Sequence, residues 1–286
     1  MAPKVSLVVS TLGRTLELER LLTSLRAQTF SDFETIIVDQ NGDERLEPVL
    51  APHLATLNIV ASRSDRGLSL GRNTGLALVA GDIVAFPDDD CWYPTDLLER
   101  VVAAFNESPE LDLLSGRTVD QSFAPSLGVF HPTGRRIGRG SVWRAGNSNT
   151  IFVRTNPKRE LRFDETLGVG ANTIFQSGEE TDFLLRLLAD GAEMRFDPAF
   201  VVHHDQVDVR DPAAGLRRAQ AYAPGQGRVL RINHYNHAQV LWFALRPLVR
   251  AGLAAVSGDT ALARYKMAWV TGLLAGYFAK FPAALH

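Results

Sequence analysis

Apolar and polar positions alternate in blocks along the first part of the chain. Residues 5–9 (Val-Ser-Leu-Val-Val) are a short β-branched apolar run, which predicts a buried strand. Over residues 16–28, Leu16, Leu18, Leu21, Leu22 and Leu25 share one helical stripe with Glu and Arg between them, which predicts an amphipathic helix. A second strand is predicted over 33–38, ending at the turn-forming Asp39-Gln40-Asn41-Gly42-Asp43. A weaker third strand follows over 57–61, then a helix over 69–80 closed by Gly81 as C-cap. A fourth strand over 83–86 leads into an acidic turn. The next helix spans 95–106, with Thr95 as its N-cap.

Strands that alternate with helices imply βαβ crossovers and a mixed, mostly parallel sheet flanked by helices. In such α/β sheets ligands lie beyond the C-terminal ends of the strands. Asp39 and Asp88-Asp89-Asp90 fall at strand ends, so two groups of carboxylates share one rim. The second half is less regular. Strands are expected over 111–115, 149–153 and 200–203, and a helix over 181–188 after an acidic turn. From Pro212 onward the pattern turns helical with a basic first segment, in which a basic, glycine-containing loop is expected over 217–228, and helices follow over 240–255 and 262–281.

The composition is ordinary for a globular chain: 286 residues, 45% hydrophobic and 22% charged. That excludes disorder. A net charge of -2 gives no electrostatic case for nucleic-acid binding. Cys91 is the only cysteine, so neither an intrachain disulfide nor a cysteine-based zinc cluster is expected, and a reducing compartment fits. The apolar run near the N-terminus is too short for a secretory signal. Arg246, Pro247 and Arg250 interrupt the first of the long apolar stretches after Val240, so no spanning segment is expected.

Four clusters carry candidate chemistry. Three adjacent carboxylates, Asp88, Asp89 and Asp90, repel one another and suit a hard divalent cation such as Mg²⁺ or Mn²⁺; the plain alternative is acid decoration of a helix N-terminus. Glu179 and Glu180 precede an apolar helix, where they act either as a rigidly held base or as dipole partners of that helix. His203 and His204 end a strand, and side-chain alternation allows at most one of them to face the acidic turn. Arg228, within Tyr222-Ala-Pro-Gly225-Gln-Gly227-Arg228, suits a loop that approaches an anion. Arg66 and Arg72 either touch phosphate or start a helix.

Taken together these pieces resemble glycosyltransferase family 2. The matching residues, in family order, are Val8-Val9-Ser10-Thr11, Ile37-Val38-Asp39, the stretch from Gly67 to Gly75, Asp88-Asp89-Asp90, Phe163-Asp164-Glu165 with Gly168 and Gly170, Gly178-Glu179-Glu180-Thr181-Asp182 and His203-His204. The Tyr222/Gly225/Gly227 segment resembles the family's basic loop, and the match covers about the first four-fifths of the chain.

The resemblance implies a GT-A fold, with a catalytic domain over 1–211 (donor half about 1–110, acceptor half about 111–211) and an extension over 212–286. It implies inverting transfer of a sugar, with a UDP-sugar as donor. The acceptor is a hydroxyl of a saccharide or polyprenyl-linked saccharide, in bacterial surface or exopolysaccharide synthesis. Thr11, Arg14 and Asp39 would hold the base, and Arg66, Arg72 and Arg228 the nucleotide. Asp88 and Asp89 would contact ribose and donor sugar. Asp90 would ligate Mg²⁺ or Mn²⁺, with Asp88 and one of His203 and His204 nearby. Glu180 stands where the family usually has the Asp base, so Glu179 and Glu180 are both candidates. A sugar-phosphate nucleotidyltransferase is the competing enzyme, but residues 9–14 hold only one glycine where such an enzyme needs a glycine-rich loop. An inactive sugar-binding partner is the third reading.

In the two apolar segments after about Tyr235, 240–255 and 262–281, the charges Arg246, Arg250, Arg264, Lys266 and Lys280 are all basic and sit among Leu, Trp, Tyr and Phe. That pattern fits helices lying in a membrane interface, giving a cytoplasmic protein held at the inner face of the membrane. Packing on the catalytic domain or a homo-oligomer contact is the alternative.

Overall fold

The apolar runs at 5–9, 33–38 and 83–86 become strands buried on both faces. In the computed structural model, which describes residues 2–206 and 211–280, β1 (Val5–Thr11), β2 (Phe33–Asp39), β3 (Ile59–Arg63) and β4 (Ile83–Ala85) pair in parallel in the order β3-β2-β1-β4. The sheet continues with β5 (Cys91–Trp92), β6 (Leu113–Val119), β7 (Arg135–Arg136), β8 (Ile151–Arg154) and β9 (Met194–His204). β8 runs antiparallel between β4 and β6, β6 and β9 are parallel, and β5 and β7 lie antiparallel on β9. The architecture is the mixed α/β sheet that the sequence predicts.

Alternation along β1 assigns its neighbours. Val5, Leu7 and Val9 belong to one core cluster with Leu18, Leu21, Leu22 and Leu25 of α1 (Leu16–Arg26). Leu97, Leu98, Val101 and Phe105 of α4 (Leu97–Glu107) complete it. Each fully buried side chain of this kind stabilises by roughly 1.5–3 kcal/mol. The even positions of β1 meet α3 (Leu68–Leu76) at close range. A Cβ at Gly75 would lie 2.4 Å from Val8 Cγ1, and one at Gly71 2.5 Å from Ser10 Oγ. α3 therefore touches the sheet through backbone, which explains two glycines inside a helix.

Several boundaries differ from expectation. α3 ends at Leu76, and Gly81 is no C-cap; a Cβ there would lie 2.8 Å from the Ser6 amide, so the glycine permits close backbone approach. α4 starts at Leu97 with Asp96, not Thr95, at its N-cap position. The helix expected from 181 is α5 (Glu179–Ala189) and begins two residues earlier. Glu179 and Glu180 thus occupy the first turn, where the helix dipole favours acids. β9 extends far beyond 200–203, because Pro198 sits opposite a register shift between Ser115 and Arg117 of β6. A bulge tolerates the proline's missing donor.

The chain divides into two compact units. Met1–Arg66, Leu70–Phe163 and Phe183–Val207 form the first, which holds the whole sheet. Gly67–Ser69, Asp164–Asp182 and Asp208–His286 form the second, with α6 (Pro212–Ile232), α7 (His237–Val256) and α8 (Thr260–Phe278). The expected basic loop over 217–228 is not a loop; it lies within α6 despite Pro224, Gly225 and Gly227. Packing overrides propensity there. A Cβ at Gly227 would lie 2.0 Å from the Leu273 carbonyl oxygen, and one at Gly276 1.9 Å from that of Pro224. Small residues let α6 and α8 cross backbone to backbone. The expected end of the last helix at Phe281 lies outside the described residues.

Candidate functional site

The C-terminal ends of β1 and β2 bring Thr11 and Asp39 into register. Thr11 is buried. Asp39 Oδ1 accepts from both the amide and the Nδ2 of Asn41, at 2.8 Å each. Asn41 Oδ1 in turn accepts from the Gly13 amide at 2.7 Å, which ties the two strand ends together. Asp39 Oδ2 lies 4.0 Å from Arg63 Nε.

The acidic turn follows Phe86, a fully buried ring packed edge-on against Phe163. Its three carboxylates each have a basic partner. Arg72, itself buried, donates to Asp88 at 3.0 Å and to Ser148 Oγ at 2.7 Å. Arg14 donates to Asp89 at 2.5 Å and lies 2.7 Å from Asp90 Oδ2. His204 Nε2 sits 3.2 Å from Asp90 Oδ1. Two guanidinium groups and one imidazole thus answer three acids. Burial pushes the Asp88 carboxyl up to about 6, against the opposing charge of Arg72. Burial also raises Asp89, again against Arg14. Asp90 is lowered: burial opposes ionisation, but the His204 bond and charge, with Arg14, outweigh it. His204 is raised: burial disfavours its charge, but the bond and charge of Asp90, with the Asp205 carbonyl and Asp88, together outweigh it.

Pairing of β5 with β9 sets this geometry. Cys91 lies opposite His204, and Trp92 opposite His203. Alternation sends His204 toward Asp90 and turns His203 away. The His203 ring stacks on Trp92 at 5.3 Å and 11°, and its Nδ1 lies 3.2 Å from the Asp120 carbonyl. Of the two histidines, one of which was expected near the metal, His204 is the one that reaches the acids. Behind them Arg20 sits 4.0 Å above the Trp92 ring. It donates to the Asp90 carbonyl at 2.8 Å and to Asp205 at 2.7 Å. Arg20, Trp92 and Ser148 carried no signal in the sequence, because each belongs to a different element and only the fold brings it here.

Among the described residues no group of three His, Cys, Asp or Glu side chains converges to hold an ion alone. Asp90 and His204 supply two adjoining donors, one oxygen and one nitrogen. That set fits Mg²⁺ or Mn²⁺ completed by substrate phosphate and water, the usual habit of Mg²⁺ sites. Arg72 serves this rim through Asp88, not as an open phosphate contact, and Arg66 is exposed.

The second unit presents its own carboxylates. Glu179 is 5% exposed, and a Cβ at Gly168 (φ 101°) would lie 3.2 Å from its carboxyl carbon. The left-handed glycine makes room for it. Asp182 is buried and accepts from Asn233 Nδ2 at 2.8 Å. Glu180 is only half-buried. Arg228 lies on α6 with its guanidinium 5.5 Å over the Phe175 ring, and burial opposes its charge.

The family described as glycosyl transferase family 2 matches residues 6–151. A Haemophilus influenzae protein described as an uncharacterized glycosyltransferase is 26% identical over 191 residues, covering 65% of this chain and 62% of that protein. The chain spans about half to three-fifths of the length of the curated relatives it matches. Among solved structures, S. aureus TarS 1-349 in complex with UDP-GlcNAc superposes with a TM-score of 0.58 at 18% identity, covering 99% of this chain and 95% of that one. The Pyrobaculum calidifontis mannosyltransferase PcManGT, in complex with GDP-Man and Mn²⁺, does so with a TM-score of 0.60 at 18% identity, covering 96% and 84%. These structures share the fold, the nucleotide-sugar-binding GT-A architecture.

Proposed function

The chain belongs to glycosyltransferase family 2, and from that membership we propose that it transfers a sugar, with inversion, from a UDP-sugar to a hydroxyl of a saccharide or lipid-linked saccharide. The observation that carries this reading is the rim where Thr11, Asp39, the acidic turn and His204 meet at the ends of β1, β2, β4 and β9. The UDP-GlcNAc bound by TarS and the GDP-Man and Mn²⁺ bound by PcManGT support a nucleotide-sugar donor and a divalent cation.

In this reading Asp39 and Thr11 receive the base, and Asp88 and Asp89 meet ribose and donor sugar. Asp90 and His204 would hold the cation. A divalent ion there would offset the charge developing on the diphosphate leaving group. The acceptor oxygen bonds to the anomeric carbon as the bond to the diphosphate oxygen breaks, through an oxocarbenium-like transition state. Glu180 takes the hydroxyl proton. Its greater exposure favours it over Glu179, which is enclosed beneath Gly168. The single cysteine, Cys91, buried and unpaired, supports a reducing, cytoplasmic setting.

Release of UDP from a panel of UDP-sugars, with Mn²⁺ and a saccharide acceptor, tests the proposal. Glu180→Gln should slow turnover by about 10²–10⁴-fold, the usual contribution of a general base, while the donor KM stays close to that of the parent. If Glu179→Gln gives that pattern and Glu180→Gln does not, the base is Glu179. No UDP release from any donor contradicts the transferase reading.

A further inference from the structure

The C-terminal helices carry a surface that this chemistry does not use. On α7, Leu241, Trp242, Leu245, Leu248, Val249 and Leu253 are 42–66% exposed, and Val256 is 91% exposed. At 3.6 residues per turn these positions fall within a sector of about 140°. The far side of the same helix, with Val240, Ala244, Ala251 and Ala254, is buried. The result is a long apolar stripe facing outward, which in a soluble chain marks an interaction surface.

Charge narrows the partner. Within α7 and α8 the charged side chains are Arg246, Arg250, Arg264 and Lys266, with no Asp or Glu. The one nearby acid, Asp259, is engaged as the N-cap of α8. Burial and the neighbouring Arg250 together disfavour the charge on Lys266. A symmetric contact with a second copy sets the same patch against itself, bringing the arginines of both copies into one interface with no acid on α7 to pair them. An anionic lipid surface satisfies both the stripe and its rim. α7 is the one described helix long and apolar enough to cross a membrane. Arg246 and Arg250 lie in its middle, however, and guanidinium groups are costly in the bilayer core. Lying flat puts the leucines among acyl chains and the arginines at phosphate level.

We propose that the exposed face of α7, with its basic rim, docks the protein in the interface of an anionic membrane. The proposal is independent of the donor and acceptor assignments. Flotation of the full chain with vesicles of phosphatidylglycerol and phosphatidylcholine, against phosphatidylcholine alone, tests it. The chain should float with the anionic vesicles at about 50 mM salt and lose binding as screening increases. Arg246→Glu/Arg250→Glu should lower partitioning by about thirtyfold or more, since each basic residue near such a surface contributes about a fivefold factor. Leu245→Ser/Leu248→Ser should lower it as well. All four positions are on the outward side or its edge, so circular dichroism should give parent-like melting. No flotation at low salt, or equal flotation of parent and variants, overturns the proposal. So does a concentration-dependent dimer that Leu245→Ser/Leu248→Ser abolishes without any vesicle binding.

Discussion

At the scale of single residues the acidic turn is a charge balance held by its neighbours. Arg14 touches two of the three carboxylates, and its side chain is 45% exposed. Replacing it leaves Asp89 and Asp90 with less cationic support in a half-buried turn. Arg14→Gln should destabilise the fold by about 1 kcal/mol, the low end for a charge-assisted hydrogen bond because solvent screens this one. It should also enlarge the thermal stabilisation given by Mn²⁺, since the ion then replaces a missing positive charge. A thermal shift unchanged by Mn²⁺ in both parent and variant contradicts that view. Arg20 acts one step further out, through the Asp90 carbonyl and the Trp92 ring. Arg20→Leu should weaken Mn²⁺ affinity by about 10–100-fold, the usual cost of losing an outer-shell partner. A mere loss of stability with metal affinity intact would reduce Arg20 to a structural role. Asp39, Asp88, Asp89 and Asp90 were legible in the sequence, because acids that follow short apolar runs stand out. Arg20 and Ser148 were not, since the 70 positions between Arg20 and Asp90 leave no local pattern.

At the scale of elements, glycine has opposite meanings in two helices. In α6, Gly227 meets the Leu273 carbonyl, and in α7, Gly252 has nothing within 4 Å of an added Cβ. Gly227→Ala should cost about 1–3 kcal/mol or more, because backbone has to move to admit the methyl. Gly252→Ala should stabilise by about 0.5–1 kcal/mol, the helix propensity gained at an exposed position. Denaturant unfolding of the two variants checks both signs; equal effects would mean that α6 and α8 do not cross closely. This contrast also explains the failed reading of 217–228. Arginines, glycines and a proline look like a loop until Gly272 and Gly276 of α8 are set against Pro224. The strands show the same limit. β1, β2 and β4 are short, mostly apolar runs and were readable. The first half of β9 was not, because Asp197 and Pro198 sit at a bulge whose partner strand lies 81 positions away.

At the scale of the whole molecule, the sheet and its rim belong to one compact unit and the three long helices to the other. The family match ends at residue 151, before any of the three long helices begins. Alternating strands and helices with acids at the strand ends were enough to predict a mixed, mostly parallel sheet with its carboxylates on one rim; the GT-A fold came from the resemblance to glycosyltransferase family 2. Donor identity was not readable, since base and sugar contacts depend on loops without a periodic pattern. The central claim is that the rim binds a nucleoside diphosphate through a cation held by Asp90 and His204. Calorimetric titration of UDP into the full chain tests it most directly, with and without Mn²⁺, for the parent and for Asp90→Asn. Binding by the parent should strengthen at least tenfold with Mn²⁺, and the Asp90→Asn variant should fold normally yet lose that enhancement. UDP affinity that is the same with and without Mn²⁺, or an enhancement that survives in Asp90→Asn, would contradict it.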